Sequence, residues 1–268
     1  MKKIIDFGQF LNKINESNLE VSLVGKIDYT LLAPSATENQ IVELCEKAKV
    51  LGVKSVCVLP KMVKVAAEIL KDSDVLVCTV VSFPHGTDTT EQKLEETKFC
   101  IANSADEIDM VLNYPELKNL SKEEVLEFLN NDESTWGKEI YLYKSLINDV
   151  KTLADECHKR GKILKVIVES GLLSPKETEI ATYICLEADA DFIKTSTGMV
   201  AVGAELDKVQ IMRDIIEEEG SDMKIKASGA IRTMADLQKF EPYVDRFGVG
   251  YAAVDSIFGG AVAGENNY

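Results

Sequence analysis

Apolar residues recur along this chain in two alternating patterns. Short runs rich in β-branched residues, with polar residues interleaved, occupy Lys26–Thr30, Ser55–Leu59, Val75–Ser82, Glu107–Leu112, Ile163–Glu169, Phe192–Thr195, Lys224–Ala227 and Arg246–Val249. Each predicts a strand. Between them, at Glu38–Leu51, Glu91–Asn103, Lys138–Arg160, Pro175–Glu187, Glu205–Gly220 and Thr233–Phe240, apolar residues return every three or four positions, as Ile41, Leu44, Cys45 and Ala48 do. That spacing predicts amphipathic helices. Two boundaries carry their own signals: Thr37 stands three residues before Gln40 as in a capping box, and Ser174-Pro175 places proline at a first helical position.

Strands that alternate with helices predict parallel pairing. Eight such units in 268 residues predict an α/β fold, a closed (β/α)8 TIM barrel forming one domain over residues 1–268. The competing architecture is an open doubly wound sheet, and no GxGxxG follows the first strand to support it. The first residues, roughly 25 of them, read as a short N-terminal helical extension plugging the bottom of the barrel.

Charge and cysteine usage narrow the partners. The net charge of -15 argues against a nucleic-acid partner and leaves small molecules, anionic ones included. The six cysteines (Cys45, Cys57, Cys78, Cys100, Cys157, Cys185) form no CxxC pair and sit in apolar runs, so they read as buried thiols in a reducing compartment. No stretch approaches the ~18 apolar residues of a membrane span. A cytoplasmic protein with no membrane partner is expected.

In a barrel, chemistry sits where strands end and βα loops begin. Lys194 ends an apolar strand and is followed by Thr195-Ser196-Thr197-Gly198. Burial favours the uncharged amine, a nucleophile toward carbonyls, although a lysine there can also snorkel to the rim. Lys226 shares a strand face with Lys224, and a second inward cation would favour a neutral Lys194 further. The alternative is that one of these two lysines reaches solvent. Asp109 shares a face with Glu107 and is placed to pair with a lysine and move protons. Lys165 is a further inward candidate. Asp28 and Thr30 alternate to one face of the first strand, where they would bond substrate hydroxyls or, for Asp28, partner a lysine. His85 and His158 are the only histidines, and no clustered His/Cys spacing points to a metal. His85, after the third strand, reads as a loop-ordering residue and His158 as a surface one.

Seven segments, IDYTLLAPSAT (27–37), SVCVLP (55–60), VVSFPHGTDTT (80–90), ADEIDMVLNY (105–114), LKVIVESGLL (164–173), ADFIKTSTG (190–198) and KASGAIRT (226–233), together resemble the deoxyribose-phosphate aldolase family, in order and over nearly the whole chain. The resemblance implies a class I, Schiff-base aldolase that cleaves 2-deoxyribose 5-phosphate reversibly to acetaldehyde and glyceraldehyde 3-phosphate. It implies Lys194 as the Schiff-base amine, Lys226 as the cation beside it and Asp109 in proton relay. Tyr268, the last residue, matches a terminal tyrosine that reaches the site in some members; the bland reading is a loose chain end. The substrate-binding residues implied are Asp28, Thr30, Cys57, Lys165, Thr197, Gly198, Gly229, Ala230, Gly248 and Gly250. No metal or organic cofactor is implied. A homo-oligomer, dimer or tetramer, and a place in deoxynucleoside salvage are.

The chain departs from the family at the phosphate end. Met199 stands where many relatives carry a lysine, Ala230 where they carry a second glycine, and the run Phe247-Gly248-Val249-Gly250-Tyr251-Ala252, with no serine, where they carry a Gly-x-Ser-Ser. Arg232 is the remaining cation there. One reading is therefore a related aldolase with an altered tail pocket lined by Met199, Ala230 and Tyr251, acting on a non-phosphorylated substrate. Another Schiff-base barrel enzyme, such as a dehydratase or transaldolase, and a barrel that binds sugar without turning it over complete the alternatives.

Overall fold

Eight parallel strands pair in sequence order and close on themselves: β1 (Ile27–Leu31), β2 (Ser55–Val58), β3 (Leu76–Val81), β4 (Glu107–Val111), β5 (Ile163–Ile167), β6 (Phe192–Lys194), β7 (Lys224–Ser228) and β8 (Arg246–Gly250). The computed structural model describes residues 23–118, 120, 125 and 138–258. Most of the expected N-terminal extension, and Tyr268, lie outside the described residues. Around the barrel run α1 (Glu38–Leu51), α2 (Val63–Leu70), α3 (Thr90–Ala102), α4 (Tyr114–Leu117), α5 (Lys138–Lys159), α6 (Pro175–Glu187), α7 (Leu206–Glu218), α8 (Met234–Phe240) and α9 (Tyr251–Phe258).

Local chemistry sets these boundaries. Thr37 and Gln40 form a reciprocal capping box at α1, and Gly52 ends that helix in the left-handed conformation at φ 69°. Ser174 and Glu177 form a second box, with Pro175 opening α6. Thr89 with Gln92 caps α3 in the same way, and Thr233 with Asp236 caps α8. The predicted strand to Glu169 ends earlier, at Ile167, because Glu169 turns to φ 54°. The predicted strand to Ser82 likewise stops at Val81, where Ser82 turns to φ 55°. α2, α4 and α9 fall outside the predicted helices. α2 has a polar face, exposed Lys64 and Glu68 against buried Val63, Ala66 and Leu70, but its eight residues are too short a window for the period to stand out.

The period of two along each strand separates two interiors. Outward residues such as Tyr29, Val56, Ile108 and Ile193 join helix faces such as Ile41, Leu44, Cys45 and Ala48 in one apolar layer. Each fully buried aliphatic side chain there contributes about 1.5–3 kcal/mol. Register fixes the other set. Asp28 stands opposite Ser55 and Gly248, Thr30 opposite Cys57 and Gly250, Cys57 opposite Cys78, Asp109 opposite Lys165, and Lys194 opposite Lys226. These residues and their strand mates at i±2 line the inside of the barrel.

Candidate active site

The barrel interior is divided. On the β2–β3 side Cys57, Cys78, Val80 and Leu32 pack with Leu59 and Phe83 into a small apolar wall of their own. Opposite it, buried charges gather: Asp28, Glu107, Asp109, Lys165, Lys194, Lys226 and Arg246. Isolated, each would cost several kcal/mol to bury. They are not isolated.

Asp109 is the hub. Its Oδ2 accepts from Lys194 Nζ and from Lys226 Nζ at 2.7 Å each, and its Oδ1 accepts from Lys165 Nζ at 2.8 Å. Lys165 also reaches Glu107 Oε2 at 2.7 Å. Lys226 makes a second, very short ion pair with Asp28. Arg246 donates to Asp28 Oδ1 at 2.6 Å and forks onto both oxygens of Glu107 at 3.2 Å. Phe192 closes the floor, with the Arg246 guanidinium 5.3 Å and Lys165 Nζ 5.9 Å from its ring centre. Lys194 lies nearest the mouth, its side chain 4% exposed against 0% for Lys165 and Lys226.

Four cations thus face three carboxylates, and one neutral lysine would balance the cluster. Burial alone pushes the carboxyls of Asp28 and Asp109 up. The surrounding cations outweigh it, Lys226, Lys165 and Arg246 for Asp28 and the three lysines for Asp109, and hold both well below the carboxylate range. Burial likewise opposes the charge on Lys165 and Lys226, but Asp109 and its fellow carboxylates keep both ammonium groups protonated far above neutral pH. Cys57 and Cys78 share a hydrogen bond that lowers the first thiol, while burial raises the second. Cys57, Cys78 and Asp109 bring ligand-type atoms within 4.8 Å of one another, as do Asp28, Cys78 and Glu107. The carboxylate lone pairs that would face an ion already face ammonium and guanidinium groups.

The loops above the cluster are stapled to it. Thr195 Oγ1 donates to the Ser228 carbonyl at 3.0 Å and accepts the Ser228 N–H at 2.9 Å, joining the ends of β6 and β7. Both oxygens of buried Glu169 accept the Thr197 N–H, and Oε2 accepts the Thr197 hydroxyl. Burial pushes the Glu169 carboxyl up, and Thr197 and Lys194 partly offset that. Gly248 leaves room for Ser228, whose Oγ would lie 2.2 Å from a Cβ at that position.

Of the residues singled out from sequence, Asp28, Cys57, Asp109, Lys165, Lys194 and Lys226 converge inside the barrel. Thr30 spends its hydroxyl on the Asp28 carbonyl at 2.9 Å. Thr197, Gly198, Gly229 and Ala230 sit on the loops after β6 and β7, while Gly248 and Gly250 belong to β8. Lys224 is exposed, so the pair of lysines on β7 divides between solvent and core. His85 is exposed, and His158 bonds Asp191 at 3.0 Å on the surface.

One expectation is corrected. Tyr251 does not line a tail pocket with Met199 and Ala230. Its ring stacks on outward-facing Tyr29 at 5.7 Å and lies under Lys47, outside the strand wall. Met199 and Ala230 are exposed at the rim. Sequence reasoning missed Arg246 and Glu169. The first was detectable, since Arg246 stands two residues before Gly248 and shares its inward face.

Comparison with known proteins agrees with this geometry. The DeoC/LacD family of aldolases matches residues 23–245. The deoxyribose-phosphate aldolase of Malacoplasma penetrans is 41% identical over 217 residues, covering 81% of this chain and 86% of the relative. That of Clostridium botulinum is 42% identical over 212 residues, covering 79% and 88%. The tetrameric deoxyribose phosphate aldolase of Aeropyrum pernix superposes with a TM-score of 0.73 at 25% identity, covering 93% of this chain and 94% of that one. By sequence and by the order of its barrel, this chain belongs to the DeoC/LacD family of aldolases.

Proposed function

We propose that the chain is a class I aldolase acting on 2-deoxyribose 5-phosphate, with Lys194 as the Schiff-base amine. The observation that carries the reading is the shared Asp109 oxygen, which Lys194 and Lys226 both reach at 2.7 Å in the buried interior. The neutral Lys194 amine adds to the C1 aldehyde, and loss of water gives an iminium. That iminium is the electron sink. Removal of the C3 hydroxyl proton then breaks the C2–C3 bond, releasing glyceraldehyde 3-phosphate and leaving a two-carbon enamine. Protonation of the enamine and hydrolysis release acetaldehyde and free the lysine. Asp109 and Lys226 form the proton relay around the reacting carbons. The apolar wall of Leu32, Cys57 and Val80 faces the two-carbon fragment, which carries no polar group beyond the imine. No organic cofactor enters this sequence of steps.

Backbone N–H groups after β6, β7 and β8 supply the phosphate end in this reading. The outward turn of Tyr251 supports it, because the bulky replacement leaves the mouth clear. A single catalytic domain, a cytoplasmic location and a homo-oligomer of two or four copies complete the proposal. Among the described residues no helix is long and apolar enough to cross a membrane. The deciding experiment is retro-aldol cleavage of 2-deoxyribose 5-phosphate beside 2-deoxyribose, with borohydride trapping and Lys194→Ala as control. Preference for the phosphorylated sugar, with an adduct that disappears in the variant, is expected. Lys194-independent cleavage, or activity confined to the unphosphorylated sugar, would refute the reading.

A further inference from the structure

We propose that Glu169 is a positioning residue for the phosphate end of the substrate, acting through Thr197 on the loop that follows β6. The inference rests on the deoxyribose-phosphate reading above. Glu169 is fully buried and left-handed at φ 54°, a conformation that L-residues other than glycine adopt at a cost of about 1–2 kcal/mol. What that placement achieves is visible in its partners. The carboxylate accepts the Thr197 N–H at 3.2 and 3.3 Å and also accepts a hydrogen bond from the Thr197 hydroxyl. Thr197 Oγ1 in turn accepts the Met199 N–H at 3.1 Å. One buried carboxylate therefore fixes the peptide planes of residues 197–199, with Gly198 left-handed at φ 82° between them.

That loop abuts the turn after β7. A Cβ on Gly229 would meet Ser196 Cβ at 3.3 Å and Gly198 Cα at 3.7 Å. A Cβ on Gly203 would lie 2.3 Å from the Gly229 carbonyl carbon. Backbone packs directly on backbone here, and Met199 and Ala230 offer no charged side chain. Recognition of an anionic tail then depends on where the amides of these two loops point, and Glu169 sets one of the two. The reacting amine has its own hydrogen-bond anchor in Asp109, and Glu169 reaches it only through space. Binding of the tail and formation of the imine therefore come apart when Glu169 is changed.

The test measures kcat and KM for 2-deoxyribose 5-phosphate and for 2-deoxyribose, together with borohydride trapping of acetaldehyde, in Glu169→Gln, Thr197→Val and Thr197→Ser. For the first two variants KM for the phosphorylated sugar is expected to rise about tenfold, the size of one charge-assisted hydrogen bond. For Glu169→Gln, kcat and the acetaldehyde adduct should stay at the wild-type level. Thr197→Ser, which keeps the hydroxyl, should raise KM far less than Thr197→Val, and the Gln/Val double variant should be no worse than the weaker single one. If Glu169→Gln fails to fold, Thr197→Val carries the comparison. A fall in kcat at unchanged KM, an equal loss for both sugars, or no change overturns the proposal. Failure of the wild-type chain to trap acetaldehyde sinks the Schiff-base reading first and is seen before any variant is compared.

Discussion

Lys194 and Lys226 stand opposite one another in the β6–β7 register and direct their nitrogens to the same oxygen, Asp109 Oδ2, at 2.7 Å each. Two ammonium groups on one carboxylate oxygen repel across it, and losing one proton relieves the strain. Lys194, nearer the mouth, is the one a substrate carbonyl meets first. Lys226→Met takes one ammonium group from Asp28 and Asp109, and Arg246 and Lys194 remain as their counter-charges. We expect its melting temperature to stay near that of the wild type while kcat falls by roughly 10²–10⁴, the range of a proton-transfer group. Steady-state kinetics beside a thermal melt separates the two. A variant that unfolds, or one that keeps full kcat, contradicts the assignment.

The parts of the site that were legible in sequence were those where local pattern and chemistry disagreed. Lys194, Lys226 and Asp109 are charges inside apolar strands, and the period of two aims them inward. Arg246 opens its strand, where a charge is usually solvated, while Arg232, the cation in the KASGAIRT segment, is exposed and bonds Asp236 through its backbone. Glu169 was read as the end of a strand, because nothing in Val168-Glu169-Ser170 announces a left-handed carboxylate. Its partner there, Thr197, lies 28 residues on. The outward turn of Tyr251 depends on Tyr29, at the other end of the chain. Local rules give the barrel, while side chains fixed by distant partners need the closed structure.

Arg246 and Asp28 form a buried ion pair at 2.6 Å. Asp28→Asn leaves Arg246 and Lys226 short of a counter-charge in the buried interior, and a loss of about 3–5 kcal/mol is expected near neutral pH. The pH dependence has a fixed sign. The folded Asp28 carboxyl titrates well below its unfolded value of 3.8, so its stabilisation is complete above that value. It erodes as pH falls from about 4 toward the depressed folded value. Urea melts of wild type and Asp28→Asn between pH 7 and pH 2 should therefore converge at the acid end. Parallel curves would mean that Asp28 contributes no ionic stabilisation.

Gly248 is small because Ser228 and Lys226 occupy the space its side chain would fill. A Cβ there would sit 2.2 Å from Ser228 Oγ, 3.1 Å from Ser228 Cβ and 3.4 Å from Lys226 Cε. Gly248→Ala must displace Ser228 and press on Lys226, so activity should drop by about tenfold or more, since small shifts of a reacting group are costly. Gly248→Ala combined with Ser228→Ala removes the Oγ clash and should recover part of the loss. If the double variant is no better than the single one, the obstruction lies elsewhere.

Ala230 holds φ 59° in the turn after β7, directly beyond Gly229 at φ 79°. Its Cβ meets the following carbonyl in that conformation, at a cost of about 1–2 kcal/mol. Glycine has no such clash, but it loses more backbone freedom on folding, which offsets roughly 0.5–1 kcal/mol of the gain. Ala230→Gly should therefore raise stability by about 0.5–1 kcal/mol on balance. The exposed side chain at 230 gives up little buried contact, so that balance stands nearly alone. A calorimetric melt reads it as a small upward shift. The turn also lies against the loop after β6, so kcat/KM for the phosphorylated sugar should be kept, because its backbone path is unchanged. A destabilised Ala230→Gly would mean that the entropy cost of glycine exceeds the left-handed penalty at this turn.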